Sequence, residues 1–474
     1  MMATVKRSYP VGSTLALIIP IVVALSWSCL VGYEGLSGQD AHDYYHIANA
    51  WKAWWKGGGV RPVMIEHPHG YPITGALLGT LFGSSLIGLR LLSALSMLAI
   101  AFLLRGYFKN PDGAAADINT FVLTAVLLSP FLLRYALMVM SDVPAMALVV
   151  GTYICTVRWL QGSLGLGFLA TFLLLLSLGF RLATVPLLAP MVLALVHGPL
   201  KARRERWMIF TLLTAAAGLF VFMTMGGSGG AFVDGPLADW SPMNLFSREL
   251  HSDDGTLVYP FPNIVYVLCL FVHPGFIPLG ILLIPFVRLT DFAKVPARLA
   301  LAAVLCYIIF IAGLPFQNDR VLLLAQPFVV VLYYPAFLRA MHWARLRMFP
   351  IRWVSGSLIA MQAALFSRAM MPFFEQARLE RELASVVSEA HARIVYTHGM
   401  GAAFVTYCPE VVVIELWYER LKMFERGALV VVNPEDLKGQ WKDEPPSWNW
   451  EGLQAQGVEV VQERPDGWLV ARVR

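Results

Sequence analysis

The sequence predicts a polytopic α-helical membrane protein of about 11 spans, with a small α/β domain at its C-terminal end. Three observations predict it. Of 474 residues, 57% are hydrophobic and only 14% charged, with a mean hydropathy of +0.62, whereas a soluble domain carries about 25% charged residues. The charges sit in short gaps between long apolar runs, the pattern a bilayer imposes on a chain that crosses it repeatedly. From about Phe373 charges of both signs appear, with β-rich runs such as "RIVYTH", "VVVIEL" and "ALVVVN".

Taken in order, apolar windows fall near 13–33, 86–104, 118–136, 143–157, 164–180, 182–197, 207–226, 264–287, 297–314, 321–338 and 353–371. The first run follows Lys6 and Arg7. It is long for a signal peptide and lacks a clear small-x-small cleavage site, so it reads as an uncleaved span. With the N-terminus in the cytoplasm, every inner gap holds a basic residue: Arg105 and Lys109; Arg158; Lys201 to Arg206; Arg288 to Arg298; Arg339 to Arg352. That is the positive-inside pattern. It places "SGQDAHDYYHIANAW" (37–51), the loops 134–142, 227–263 and 315–320, and the C-terminal tail outside. The chain thus reads as a transmembrane domain, 1–372, and an extracytoplasmic α/β domain, 373–474, in the inner (plasma) membrane of a bacterium. The tail domain reads first as a packing or acceptor-docking module. "GGSGGAFVDGP" is a flexible piece of the large outer loop, which is long enough to be functional.

The net charge is +5, and the basic residues lie in gaps rather than on one face, which excludes nucleic acid as a partner. Of five cysteines, Cys29, Cys155, Cys269 and Cys306 fall in apolar runs and Cys408 stands alone. No spacing suggests a disulfide framework or a zinc site.

The first outer loop concentrates chemistry. Helical spacing puts Asp40, Asp43, Tyr44 and Ile47 on one face, and Trp51, Trp54 and Trp55, interleaved with Lys52 and Lys56, suit a helix at the lipid interface. Two readings stand side by side: Asp40 as a helix cap with Asp43 in the first turn, or a carboxylate pair held above the membrane plane to meet a lipid-linked head group. His42 and His46 lie four apart, a spacing that suits a metal but lacks a third ligand. "EHPHGYPITGALLGTLFG" (66–83) follows, either as a turn into the second span or with His67 and Tyr71 lining a polar pocket that faces Asp40. In "MSDVPAMAL", Ser141 or Asp142 is placed to cap the fourth span. Arg134, Arg181, Arg248 and Arg320 stand at outer ends against the charge rule. Snorkelling explains some, and a phosphate explains others, because a guanidinium fork matches phosphate oxygens.

These residues resemble the GT-C-fold, polyprenyl-phosphate-sugar-dependent glycosyltransferases, the group of the protein O-mannosyltransferases and lipid A aminoarabinose transferases. The resemblance runs through Asp40, Tyr44 and "HIANAW", then "HPHGYPITGALLGTLFG", "LIGLRLLSAL", "MSDVPAMAL" and "NDRVLLLAQPFVVVL", in that order over about 13–370. It implies a GT-C-like fold and transfer of a sugar, with inversion, from a polyprenyl-phosphate donor to the hydroxyl of a lipid, glycan or protein acceptor. Asp40 inherits the role of general base. Asp142 matches a second outer acid, an acceptor or metal contact in some members, so a divalent metal is possible and no cofactor is certain. Many members carry an acid directly after the first aspartate; here Ala41 stands there and Asp43 is the next acid, which leaves Asp40 and Asp43 both open as the base. Arg320 is the candidate for the donor phosphate, and His67, Tyr71, Tyr44 and Arg181 complete the substrate-binding set. The chemistry agrees: a hydroxyl nucleophile needs a carboxylate within hydrogen-bond reach, and the departing phosphate needs positioning and charge stabilisation more than an acid. The competing class is a transporter or lipid flippase; against it, the acids cluster in outer loops and the chain has no pair of matching halves.

Overall fold

The computed structural model describes residues 11–62, 67–109, 115–163, 165–198, 203–225, 239–252, 255–348, 350–417 and 419–474. Lys6, Arg7, Glu66 and "GGSGGAFVDGP" lie outside them. The membrane part is built from α1 (Val11–Leu30), α2 (Gln39–Trp55), α3 (Gly70–Phe82), α4 (Ser85–Phe108), α5 (Ala115–Val122), α6 (Pro130–Leu137), α7 (Asp142–Leu160), α8 (Leu166–Phe180), α9 (Val185–His197), α10 (Arg203–Met225), α11 (Val295–Ala312), α12 (Gln326–Leu346) and α13 (Ile351–Glu389).

Among the described residues five helices are long and apolar enough to cross a membrane, or six if one bent pair counts as a span, and four shorter apolar helices accompany them. The chain is an integral membrane protein. Its helices bury one stripe and expose another to lipid. In α1, Leu17, Ile21 and Ala24 are buried while Leu15, Ile19, Val22 and Val23 are exposed, the three-to-four-residue period of an amphipathic stripe.

Two expected spans differ. The window 118–136 is bent by 64° between Asp117–Leu127 and Pro130–Leu137. Pro130 opens α6, and the residue before a proline is pushed out of helical geometry; Ser129 accordingly has φ −69° and ψ 116°. The window 264–287 is no continuous helix but short turns at Asn263–Tyr266, Cys269–Val272 and Gly280–Leu283. Pro274 and Pro278 each remove a backbone donor inside the run.

Helices α3 and α4 cross closely because glycines face each other. A Cβ on Gly88 would lie 2.1 Å from the Gly75 carbonyl oxygen and 2.5 Å from the Gly79 nitrogen. Small residues at a crossing let two membrane helices approach backbone to backbone.

The C-terminal domain holds a five-stranded sheet, separate from a hairpin of β1 (Glu249–Ser252) and β2 (Gly255–Val258) between α10 and α11. Its strands are β3 (Ile394–Thr397), β4 (Val412–Glu415), β5 (Leu429–Val432), β6 (Val458–Glu463) and β7 (Leu469–Val473), in the order β4-β3-β5-β7-β6. The first three run parallel, and β7 and β6 are antiparallel additions. Alternate side chains go to opposite faces: Val395, Leu429 and Val431 pack with Leu383 and Phe404, while Tyr396, Val430 and Val432 pack with Trp450 and Leu453.

Helix α13 joins the two parts without a break. Its 39 residues span about 58 Å at 1.5 Å per residue, against a hydrocarbon core of about 30 Å. The composition change near Phe373 therefore falls inside one helix. Ala377 still packs with the membrane helices, whereas Leu383, Ala384 and Val387 pack on the sheet. Next comes α14 (Gly401–Tyr407), which lies against both α13 and α2.

Because backbone lies within 2.1 Å of the Gly88 Cβ position, Gly88→Leu is expected to pry α3 from α4 and cost about 1–3 kcal/mol, read as a lower unfolding temperature in detergent. Gly106→Ala, whose Cβ meets nothing within 4 Å, is the matched control.

Candidate active site

Four parts of the chain converge on one cluster. Helix α2 presents Asp40 in its first turn. Its cap position is Gly38, so the Asp40 carboxylate is not spent on capping; it accepts instead from Arg320 Nη1. Arg320 comes from a turn at Asp319–Leu322 just before α12. Its Nε donates to Asp142 Oδ2 at 2.7 Å. Asp142 opens α7 and is fully buried. Ser141 holds the cap position there without capping; its hydroxyl bonds the Tyr44 hydroxyl at 2.8 Å.

A second guanidinium closes the cluster. Arg181 sits where α8 ends and a short turn leads into α9. Its Nε lies 3.0 Å from Asp142 Oδ1, an ion-pair contact off the line of a good hydrogen bond. Its Nη1 also donates to the Ser141 hydroxyl at 3.4 Å. Two arginines thus flank one buried carboxylate, as burial of a charge requires.

His67 stands on the open side, 3.8 Å from Asp40 Oδ1 and 3.9 Å from Asp43 Oδ2. The Tyr44 ring lies 4.8 Å from its ring and 5.1 Å from that of Tyr71. Tyr71 does not line a pocket at Asp40. Its hydroxyl is buried, donates to the Leu89 carbonyl at 3.1 Å and lies 3.0 Å from the Ser93 hydroxyl. Its part here is to support Tyr44 from behind.

Burial pushes the Asp40 carboxyl up, but the adjacent Arg320 and His67 outweigh it and hold it at about 2. Asp40 is about one-third exposed, while Arg320 is mostly covered. Burial raises the Tyr44 hydroxyl, which stays neutral and serves as a hydrogen-bonding wall.

Other candidates are placed elsewhere. Arg134 donates to Asp319 Oδ2 at 2.6 Å, and the Tyr135 hydroxyl donates to Asp319 Oδ1 at 2.9 Å. Asp319 precedes Arg320 directly, so this pair braces the turn that carries it. The sequence reading missed Asp319 and Tyr135, although both flank residues it singled out. Arg248 Nε donates to the Tyr259 carbonyl at 3.1 Å, in the exposed hairpin region. His42 and His46 face away from the cluster: both contact the Thr406 hydroxyl of α14, at 2.7 and 2.8 Å. Among the described residues no group of three or more His, Cys, Asp or Glu stands together as a metal site.

An apolar cavity of about 590 Å³ lies between α4, α7 and α8, walled by Leu92, Phe102, Leu148 and Leu173. Pro144 and Phe180 line it as well, and these neighbour Asp142 and Arg181 in the chain. Along α7 it reaches Arg158, about 21 Å from Pro144 at 1.5 Å per residue.

A helical membrane part whose first loop returns as a helix bearing a carboxylate, followed by an α/β tail, is an architecture shared with solved GT-C structures. The chain is similar in structure to ArnT from Cupriavidus metallidurans bound to undecaprenyl phosphate, at TM-score 0.57 and 14% identity over 98% of this chain and 99% of that one. It is similar also to apo ArnT of the same organism, at TM-score 0.56 and 14% identity over 96% and 98%. At such identity the likeness is one of fold. A looser likeness, at TM-score 0.44 and 13% identity over 97% and 74%, is to the archaeal oligosaccharyltransferase AglB from Archaeoglobus fulgidus. No protein-family model matches the chain, and no curated protein matches its sequence.

Asp142→Ala would leave two covered guanidinium groups facing each other, so it is expected to cost about 3–5 kcal/mol. Thermal unfolding in detergent checks this; an unchanged melting temperature would mean water already screens both arginines.

Proposed function

We propose that the protein is a membrane glycosyltransferase that moves a sugar from a polyprenyl-phosphate donor to an acceptor hydroxyl on the extracytoplasmic side, with inversion. The observation that carries this reading is the carboxylate of Asp40 on Arg320, with Arg181 joined to Arg320 through Asp142 and an apolar cavity beginning at Pro144 and Phe180 beside them. A polyprenyl phosphate needs both halves: cationic forks for its head and an apolar path for its tail. The likeness to ArnT, which was solved with undecaprenyl phosphate, supports the same kind of donor.

In this mechanism the donor phosphate engages Arg320 and Arg181, and the prenyl tail lies toward the cavity between α4, α7 and α8. The acceptor oxygen attacks the anomeric carbon as its proton passes to the general base. The bond from that carbon to the phosphate oxygen breaks, and polyprenyl phosphate leaves with the electron pair. Arginine stabilises the charge that gathers on the leaving phosphate. One-step displacement inverts the configuration.

Between the two aspartates, Asp40 is the better base. It lies directly on Arg320, the candidate for the donor phosphate, and within 3.8 Å of His67. In the resting site Arg320 holds Asp40 at about 2, too acidic to take a proton well near neutrality. A donor phosphate that draws the guanidinium to itself lifts that restraint, so the base becomes effective when the donor is bound. Asp142 keeps the two arginines in place. The α/β domain, which reaches α2 through α14, serves in this reading as a docking module for the acceptor.

Asp40→Asn is expected to lower sugar transfer by about 10²–10⁴-fold with the protein folded and inserted, whereas Asp43→Asn retains most activity. Membranes incubated with a panel of radiolabelled polyprenyl-phosphate sugars provide the measurement. Normal turnover by Asp40→Asn would remove Asp40 as base. The pH dependence gives a second check. Asp40 sits below its ordinary value of 3.8 because of Arg320, so the acid limb of kcat/KM for the free enzyme lies below about pH 4. Arg320→Gln removes the main lowering influence while burial remains, so that limb is expected to move upward as kcat/KM falls; a limb that stays in place argues against the pairing.

A further inference from the structure

Helix α2 has a second face, and it is held by the C-terminal half of α13. Gly38, at the cap position of α2, has φ 73°, a left-handed value that glycine adopts without strain. Having no side chain, it offers no cap of its own, and the helix start needs a partner for its free N–H groups. That partner comes from far along the chain: the Gly38 N–H donates to Glu380 Oε1 at 2.9 Å. In a capping box an acid within the helix bonds the cap residue's N–H; here Glu380 does so from another helix.

Glu380 has a second hold on α2. Its Oε2 lies 3.1 Å from His42 Nε2, with both side chains almost wholly buried. On the other side of the ring, His42 Nδ1 lies 2.7 Å from the Thr406 hydroxyl, which also contacts His46 Nε2 at 2.8 Å and donates to the Ala402 carbonyl at 2.9 Å, so both ring nitrogens of His42 are held. Gln376 completes Glu380 by donating to Oε1 at 3.0 Å.

We propose that Glu380 is a positioning residue for Asp40. It caps the amino end of α2 and, through His42, fixes the rotation of that helix, so Asp40 meets Arg320 on the opposite side. This rests on the reading of Asp40 as the base. It also makes the C-terminal half of α13 and α14 part of the active site's support: Asp40 is two residues from Gly38 and two from His42, and both are tied to that half of the molecule. A misplacement of about 1 Å at a reacting group costs about 10²-fold in rate, so a helix held only at its far end would turn over slowly.

The test uses the full chain in lipid. Glu380→Ala loses both contacts and is expected to lower kcat roughly 10- to 100-fold, with KM for the donor within about threefold of the parent. Glu380→Gln still accepts from Gly38 and restores most of the loss. Hydrogen exchange at the amides of Gln39 to Asp43 is expected to rise in Glu380→Ala and stay near the parent in Glu380→Gln. Ser385→Ala, on the same helix outside the network, changes neither readout. Where Glu380→Ala fails to fold, Thr406→Val tests the same clamp, with a smaller fall in kcat and faster exchange at His42 to His46. Unchanged kcat and exchange in Glu380→Ala, or a loss seen only as raised KM, would overturn the proposal. If Asp40→Asn proves active, the base assignment fails, but the exchange data still report whether Glu380 holds α2.

Discussion

Arg320 lies between two carboxylates that reach it from different helices. One edge of its guanidinium serves Asp142 and the other serves Asp40. Asp142 is fully buried, and an ionised carboxylate there is tolerable only if cations replace the water it has lost. Arg320 and Arg181 do so. This junction ties the starts of α2 and α7 to the break before α9 and the turn before α12. It also brings the residues suited to a phosphate and a proton into one small volume.

The neighbouring parts are arranged to keep that junction in place. Asp319, held by Arg134 and Tyr135, braces the turn that carries Arg320. Tyr71, fixed to Leu89 and Ser93, supports Tyr44, which in turn bonds Ser141 beside Asp142. The close crossing of α3 and α4 at their glycines sets the depth of Tyr71 relative to Leu89. On the other side, Glu380 and Thr406 hold the histidine face of α2. A helix that looks like an interfacial element from its tryptophans is thus a wedge with polar contacts on two faces; Trp54 and Trp55 near its end stay exposed, while Trp51 is buried against His69.

Much of this was legible from residue type and spacing. Arginines at expected outer helix ends break the usual charge pattern, and that conflict singled out Arg134, Arg181, Arg248 and Arg320; Arg134, Arg181 and Arg320 have acidic partners in the fold, whereas Arg248 bonds the Tyr259 carbonyl. The i, i+3, i+4 spacing separated Asp40, Asp43 and Tyr44 from the two histidines. Other features were not legible. Tyr71 was read into the site because it stands near His67 in the chain, but one helical turn carries its hydroxyl into the α3–α4 interface. The run 264–287 has the hydropathy of a span, but its prolines break it into turns. The change near Phe373 falls inside one helix, whose earlier residues pack with the membrane helices and whose later ones pack on the sheet.

The sequence by itself determined that the chain is helical and membrane-embedded, where its amphipathic faces lie, and which residues are candidates for a site. Each of these depends on neighbours within a turn or two, or on composition averaged over a span. Only the tertiary structure decided the pairings. Asp40 with Arg320, Asp142 with Arg181, and Gly38 and His42 with Glu380 join residues from tens to hundreds of positions apart. A charge or a free N–H states that a partner is needed, but which partner comes within 3 Å depends on how the helices pack, and no local pattern encodes that distance.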